Sequence, residues 1–91
     1  MVATDVEVIA RHYGTDEQSR QTIEEMGELI VALNKVHRHY SNENIQNVIE
    51  ELADVSLMVE QMIYLYDCEQ EVKSIKRQKV KRQLERMGMK L

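Results

Sequence analysis

Apolar residues recur along most of this chain every three or four positions, the period of an amphipathic helix rather than the alternation of a strand. Val6, Ile9, Ala10 and Tyr13 form the first run, with Thr4 where an N-cap belongs and Gly14 where a helix stops. Thr15 and Gln18 enclose Asp16 and Glu17, a capping box with acids in the first turn, so a second helix is expected from Thr15 to about His39. On a helical wheel Ile23, Met26, Leu29, Ile30, Leu33 and Val36 share its apolar face. Ser41 or Asn42 caps a third helix, from about Glu43 to Tyr66. Ile45, Val48, Ile49, Leu52, Val55, Met58, Val59, Met62 and Ile63 make it the most apolar, and it is expected to be the most buried. Asp67 and Gln70 form another capping box, which opens a fourth helix carrying Val72, Ile75, Val80, Leu84 and Met87 and ending near Gly88.

The expected fold is therefore all-α, four helices in one domain spanning residues 1–91. Composition agrees: Pro, Phe and Trp are absent, and the core must come from Leu, Ile, Val and Met, set among many Glu, Lys, Gln and Arg. A chain this short buries little surface and has no disulfide to compensate, so a homo-oligomer, dimer or tetramer, is expected to complete the core. Cys68 is the single cysteine, which excludes an internal disulfide and a multi-cysteine zinc site and suits a reducing cytoplasm. No segment approaches the roughly 20 apolar residues of a membrane span, and the start of the chain lacks the basic-then-apolar pattern of a secretory signal.

Carboxylates break the apolar pattern in two places. Glu25 sits at the edge of the second helix's apolar face, in the row of Leu29, Ala32 and Val36, with Glu28 about one turn further along. Glu51 falls inside the apolar arc of the third helix, between Val48 and Val55, where an ordinary amphipathic helix would carry Leu; Asp54 lies at the border of that arc. Glu24 and Glu50 point further toward solvent. Acids gathered in a partly buried groove repel one another and lose hydration, and a divalent cation relieves both penalties. All-oxygen ligands favour Mg²⁺, Mn²⁺ or Ca²⁺ over zinc, and Mg²⁺ completes its shell with waters and phosphates. The candidate metal ligands are thus Glu25, Glu28, Glu51 and Asp54.

The segments Glu24-Glu25-Met26-Gly27-Glu28-Leu29 and Glu50-Glu51-Leu52-Ala53-Asp54-Val55, with 22 residues between Glu28 and Glu51, resemble the paired motif of the MazG-like, all-α nucleoside triphosphate pyrophosphohydrolases. The resemblance covers nearly the whole chain and implies a four-helix MazG-like bundle: a short first helix, two long carboxylate-bearing helices and a basic last helix. It further implies Mg²⁺-dependent hydrolysis of nucleoside or deoxynucleoside triphosphates to monophosphate and pyrophosphate, as in nucleotide-pool house-cleaning, with Mn²⁺ as a substitute ion. Under it Glu25, Glu28, Glu51 and Asp54 hold the metal, and Glu24 or Glu28 takes a proton from the attacking water. Lys79, Arg82 and Arg86 resemble the family's basic stretch and are candidate phosphate contacts; Lys35 and Arg38, at the end of the second helix, are others. Gln18 stands where some relatives carry a Gln before the first motif, which makes it a candidate for contacting the base.

Charge is divided along the chain. Residues 73–90 hold eight of the twelve Lys and Arg against one acid, Glu85, a net of +7 that leaves the remainder at −11. Such a division suits a phosphate site, two mutually attracting solvated faces, or a module whose last helix binds nucleic acid. The acidic body and the lack of aromatics interleaved with the basic residues argue against nucleic acid. A catalytically silent nucleotide-binding protein is the other alternative.

Overall fold

The computed structural model describes residues 3–89. Met1, Val2, Lys90 and Leu91 lie outside them, Lys90 of the basic stretch included. Among the described residues there are three helices and no strand: α1 (Asp5–Arg38), α2 (Asn42–Leu65) and α3 (Glu69–Arg86).

The local signals account for most boundaries. Thr4 Oγ1 accepts from the Glu7 N–H at 3.1 Å while Glu7 Oε2 accepts from the Thr4 N–H at 2.8 Å, a complete capping box that starts α1. Gly14 breaks the helix as expected, at φ +86° and ψ 172°, a backbone region open in practice to glycine alone. The break consumes one residue and helical geometry resumes at once, so the two expected N-terminal helices follow each other directly across a kink within α1, and Ala10 of the first is fully buried. Thr15 and Gln18 accordingly make no capping box; the Gln18 side chain is used elsewhere. After α1, residues 39–41 reverse the chain, with Ser41 Oγ accepting from the Asn44 N–H and Asn44 Nδ2 donating to the His39 carbonyl.

The expected cap at Asp67 is also replaced. Asp67 adopts φ +52°, and the N–H groups of Asp67 and Cys68 bond back to the carbonyls of Tyr64 and Ile63, which ends α2 in a Schellman turn with Asp in the position glycine favours. Cys68 is then the N-cap of α3 and supplies no side-chain bond. The end of α3 repeats the turn with the preferred residue: Gly88 at φ +85°, its N–H on Glu85 and that of Met89 on Leu84.

α1 and α2 form an antiparallel hairpin. Buried and half-buried residues on α1 recur as Gln18, Thr22, Glu25, Leu29, Ala32 and Val36, and on α2 as Val48, Glu51, Val55, Met58 and Met62, alternating steps of four and three. That is the spacing of a coiled-coil seam. The seam is polar at its Gly14 end, where Gln18 Nε2 donates to Gln61 Oε1 at 2.7 Å and Gln61 Nε2 lies 3.6 Å from Met58 Sδ, all three residues being buried. A fully enclosed amide pair of this kind penalises any slip of one helix along the other, because slippage would leave both amides unpaired.

Only part of the expected core is covered. Ile23, Met26, Ile30 and Leu33 lie outside the seam, and α2, expected to be the most buried helix, encloses only Met58 and Gln61. The physical reason is that each helix carries two apolar stripes side by side, about 100° apart, and α2 covers one of them. α3 meets the rest of the molecule near its N-terminal end, packs along neither helix and contains no buried residue, so the chain by itself is a hairpin with a splayed third helix and not a closed four-helix bundle.

Backbone strain gives a direct check. A Cβ at Gly14 would meet no atom within 4 Å, so Gly14→Ala should lower stability through φ and ψ alone, by about 1–3 kcal/mol. Asp67→Gly should raise it by about 0.5–1 kcal/mol. Urea unfolding of both variants measures the two effects; equal stability at position 14 would contradict the break.

Candidate metal centre

Because α1 and α2 run in opposite directions, the residues just before the seam positions of both helices fall on the same face of the hairpin. On α1 these are Glu24, Glu28, Val31 and Lys35; on α2 they are Asn47, Glu50 and Asp54. Glu24, Gly27, Glu28, Lys35, Asn47 and Glu51 border a groove of about 360 Å³ on that face.

Glu25 and Glu51 enter from the seam itself, one from each helix. Glu25, Glu28 and Glu51 bring one carboxylate oxygen each to within 4.8 Å of one another. Glu25 Oε1 accepts from Gln21 Nε2 at 2.8 Å, while Glu25 Oε2 and Glu51 Oε2 are buried with no hydrogen-bond donor. A buried carboxylate oxygen without a partner is costly, and two of them lie here on facing helices, where a cation would relieve the cost. The consequence is visible at Glu28: the carboxylates of Glu25 and then Glu51, with some loss of hydration and Glu24 adding to them, push its pKa above the ordinary glutamate value. The donor set fits a hard divalent cation: three carboxylates, two half-buried and one exposed, with no sulfur or imidazole among them.

The remaining sequence candidates divide. Asp54 is exposed, one turn beyond Glu51 on the groove face, and is not in the close group. Glu24 and Lys35 line the groove. Lys79, Arg82 and Arg86 are exposed on α3 and do not line it, and Arg38 is exposed at the end of α1. Gln18 is buried in the hairpin and its amide donates to Gln61, away from the groove. Asn47 was missed by sequence reasoning; its position four residues before Glu51, one turn back on the same helix, is the signal that would have found it. Gly27 forms part of the groove wall, and a Cβ there would meet nothing within 4 Å.

No known protein family matches the chain, and neither the curated proteins nor the solved structures contain a match to it.

Like-charge repulsion predicts a pH signature. The raised pKa means the folded chain holds the Glu28 proton more tightly than the unfolded chain does. The associated stability is fully present below the ordinary value of 4.5 and is lost as the pH rises through the raised one. In EDTA the melting temperature of the wild type should therefore fall relative to that of Glu28→Gln across this window, and excess Mg²⁺ at neutral pH should restore the wild type more than the variant. Parallel EDTA profiles for the two proteins would remove the repulsion.

Proposed function

We propose that this chain is a divalent-cation-dependent nucleoside triphosphate pyrophosphohydrolase of the MazG-like kind. The observation that carries the reading is the pair of buried, donorless carboxylate oxygens on Glu25 and Glu51, close to Glu28 and beside a groove that Glu28, Glu51 and a cation, Lys35, line. Glu25, Glu28 and Glu51 would hold Mg²⁺, or Mn²⁺ in its place, with Asp54 as the fourth carboxylate. When bound, the ion supplies charge neutralisation, polarisation of phosphoryl oxygens and a more acidic water.

The protein's own groups supply the rest. Glu28 and Glu24, both on the groove wall, are the carboxylates suited to take the proton of the attacking water. Water adds to phosphorus as the P–O bond bridging the α and β phosphates breaks, and the bridging oxygen leaves with pyrophosphate. Lys35 is the cation placed to bind phosphate oxygens, and Asn47 offers an amide to the same groove. Lys79, Arg82 and Arg86 do not border the groove of their own chain, so this reading gives them no first role in holding phosphate.

The test is incubation of the purified protein with a panel of NTPs and dNTPs in Mg²⁺ or Mn²⁺, with products separated by anion exchange. Monophosphate and pyrophosphate are expected from the wild type and a loss of at least 100-fold in kcat from Glu51→Gln; Asp54→Asn should raise the Mg²⁺ concentration required. Silence across the panel with the fold intact would replace catalysis by nucleotide binding alone. Gly27→Ala separates groove use from folding: it should stabilise α1 by about 1 kcal/mol and yet lower kcat/KM, because the new methyl meets no protein atom and stands at the groove wall.

A further inference from the structure

Gln21 belongs to neither carboxylate motif. It stands one turn before Glu25 on α1, half-buried, at one of the positions that precede the seam and share the groove side of the hairpin with Glu24 and Glu28. Its amide donates to Glu25 Oε1 at 2.8 Å. Side chains on a helix lean toward the helix N-terminus, so a glutamate reaches back to the residue four positions earlier, and this pair uses that direction. The bond makes the two oxygens of Glu25 unequal: Oε1 is held by the amide, while Oε2 is enclosed without a donor. Among the described residues it is the one hydrogen bond from a side-chain amide to any of the three grouped carboxylates.

We propose that Gln21 is a positioning residue of the carboxylate centre: it holds Glu25 in the rotamer that meets Glu28 and Glu51 and adds no charge that would compete with a cation. The proposal rests on reading the group as a divalent-cation centre. The residue type is what the role requires. An acid at position 21 would add another negative charge to a group whose members already repel one another. Lysine or arginine would pair with Glu25 at the same reach, as Arg20 pairs with Asp16 at 3.3 Å one turn earlier on the helix, and would neutralise it before an ion could. An alkyl side chain would leave Glu25 free to turn among its rotamers. An amide orients the carboxylate and leaves its charge unspent. Hydrogen-bond partners of metal-binding side chains act in this way, and their loss typically weakens metal affinity about 10–100-fold.

Mn²⁺ titration followed by electron paramagnetic resonance, without nucleotide, tests it. Gln21→Met keeps the length and helix propensity of the side chain and removes the donor. Its Mn²⁺ affinity should fall about tenfold or more while helical circular dichroism stays at the wild-type level. Should Gln21→Met lose helicity, Gln21→Asn, which withdraws the amide by one methylene, carries the same expectation. Gln21→Lys should also bind Mn²⁺ more weakly than the wild type, and yet melt at a higher temperature in EDTA, because it supplies Glu25 with the missing charge. Gln46→Met, exposed on α2 and outside the groove lining, should bind as the wild type does. Wild-type affinity in the folded Gln21 variants, or an equal loss in Gln46→Met, would overturn the proposal and leave the hydrolase reading standing. A wild type that binds no Mn²⁺ would remove the centre itself, and both readings with it.

Discussion

A glutamate from each helix projects into the seam of the α1–α2 hairpin, and the rest of the molecule is arranged around that pair. Glu25 and Glu51 occupy positions where a coiled-coil seam would place leucine, and each leaves one oxygen enclosed without a donor. Glu51 also borders the groove on one face of the hairpin, where the exposed Glu28 joins the pair. Repulsion within the group is expressed at its most exposed member: the neighbouring carboxylates raise the pKa of Glu28, while Gln21 supports one oxygen of Glu25. The three carboxylates are thus electrostatically unbalanced, with two enclosed oxygens lacking a donor and the repulsion falling on Glu28.

The buried Gln18–Gln61 pair is the mechanical counterpart of this arrangement. It locks the register of the two helices at the end of the seam near Gly14, and that register decides which carboxylates face one another. A slip of one turn would separate Glu25 from Glu51 while leaving the apolar pattern nearly satisfied, because Leu, Val and Met are interchangeable in a loosely covered seam. Polar specificity therefore contributes what hydrophobic burial alone leaves open.

The hairpin has two unlike faces, and their division follows from one geometric fact. Positions preceding the seam gather acids, Lys35 and Asn47; positions following it gather Ile, Leu, Met, Val and Tyr. In antiparallel helices these sets fall on opposite sides, so the polar groove and the apolar surface do not overlap. α3 stands apart, positively charged and unpacked, tied to α2 by a turn in which Asp67 occupies a glycine-like conformation.

Much of this was legible in the sequence. Helix content, the Thr4 and Ser41 caps, the break at Gly14, the stop at Gly88 and the doubled carboxylate motif all rest on local chemistry, which a sequence states directly. Helical periodicity likewise placed Glu25 and Glu51 on or beside an apolar arc. What it did not state was which of two adjacent apolar stripes meets α2, that Gln18 spends its amide on Gln61, that Asn47 lines the groove, or that Asp54 stays outside the close group. Periodicity fixes each side chain's angle about its own helix axis but not the rotation of that helix against its neighbour, and that rotation is settled only when the two helices pack.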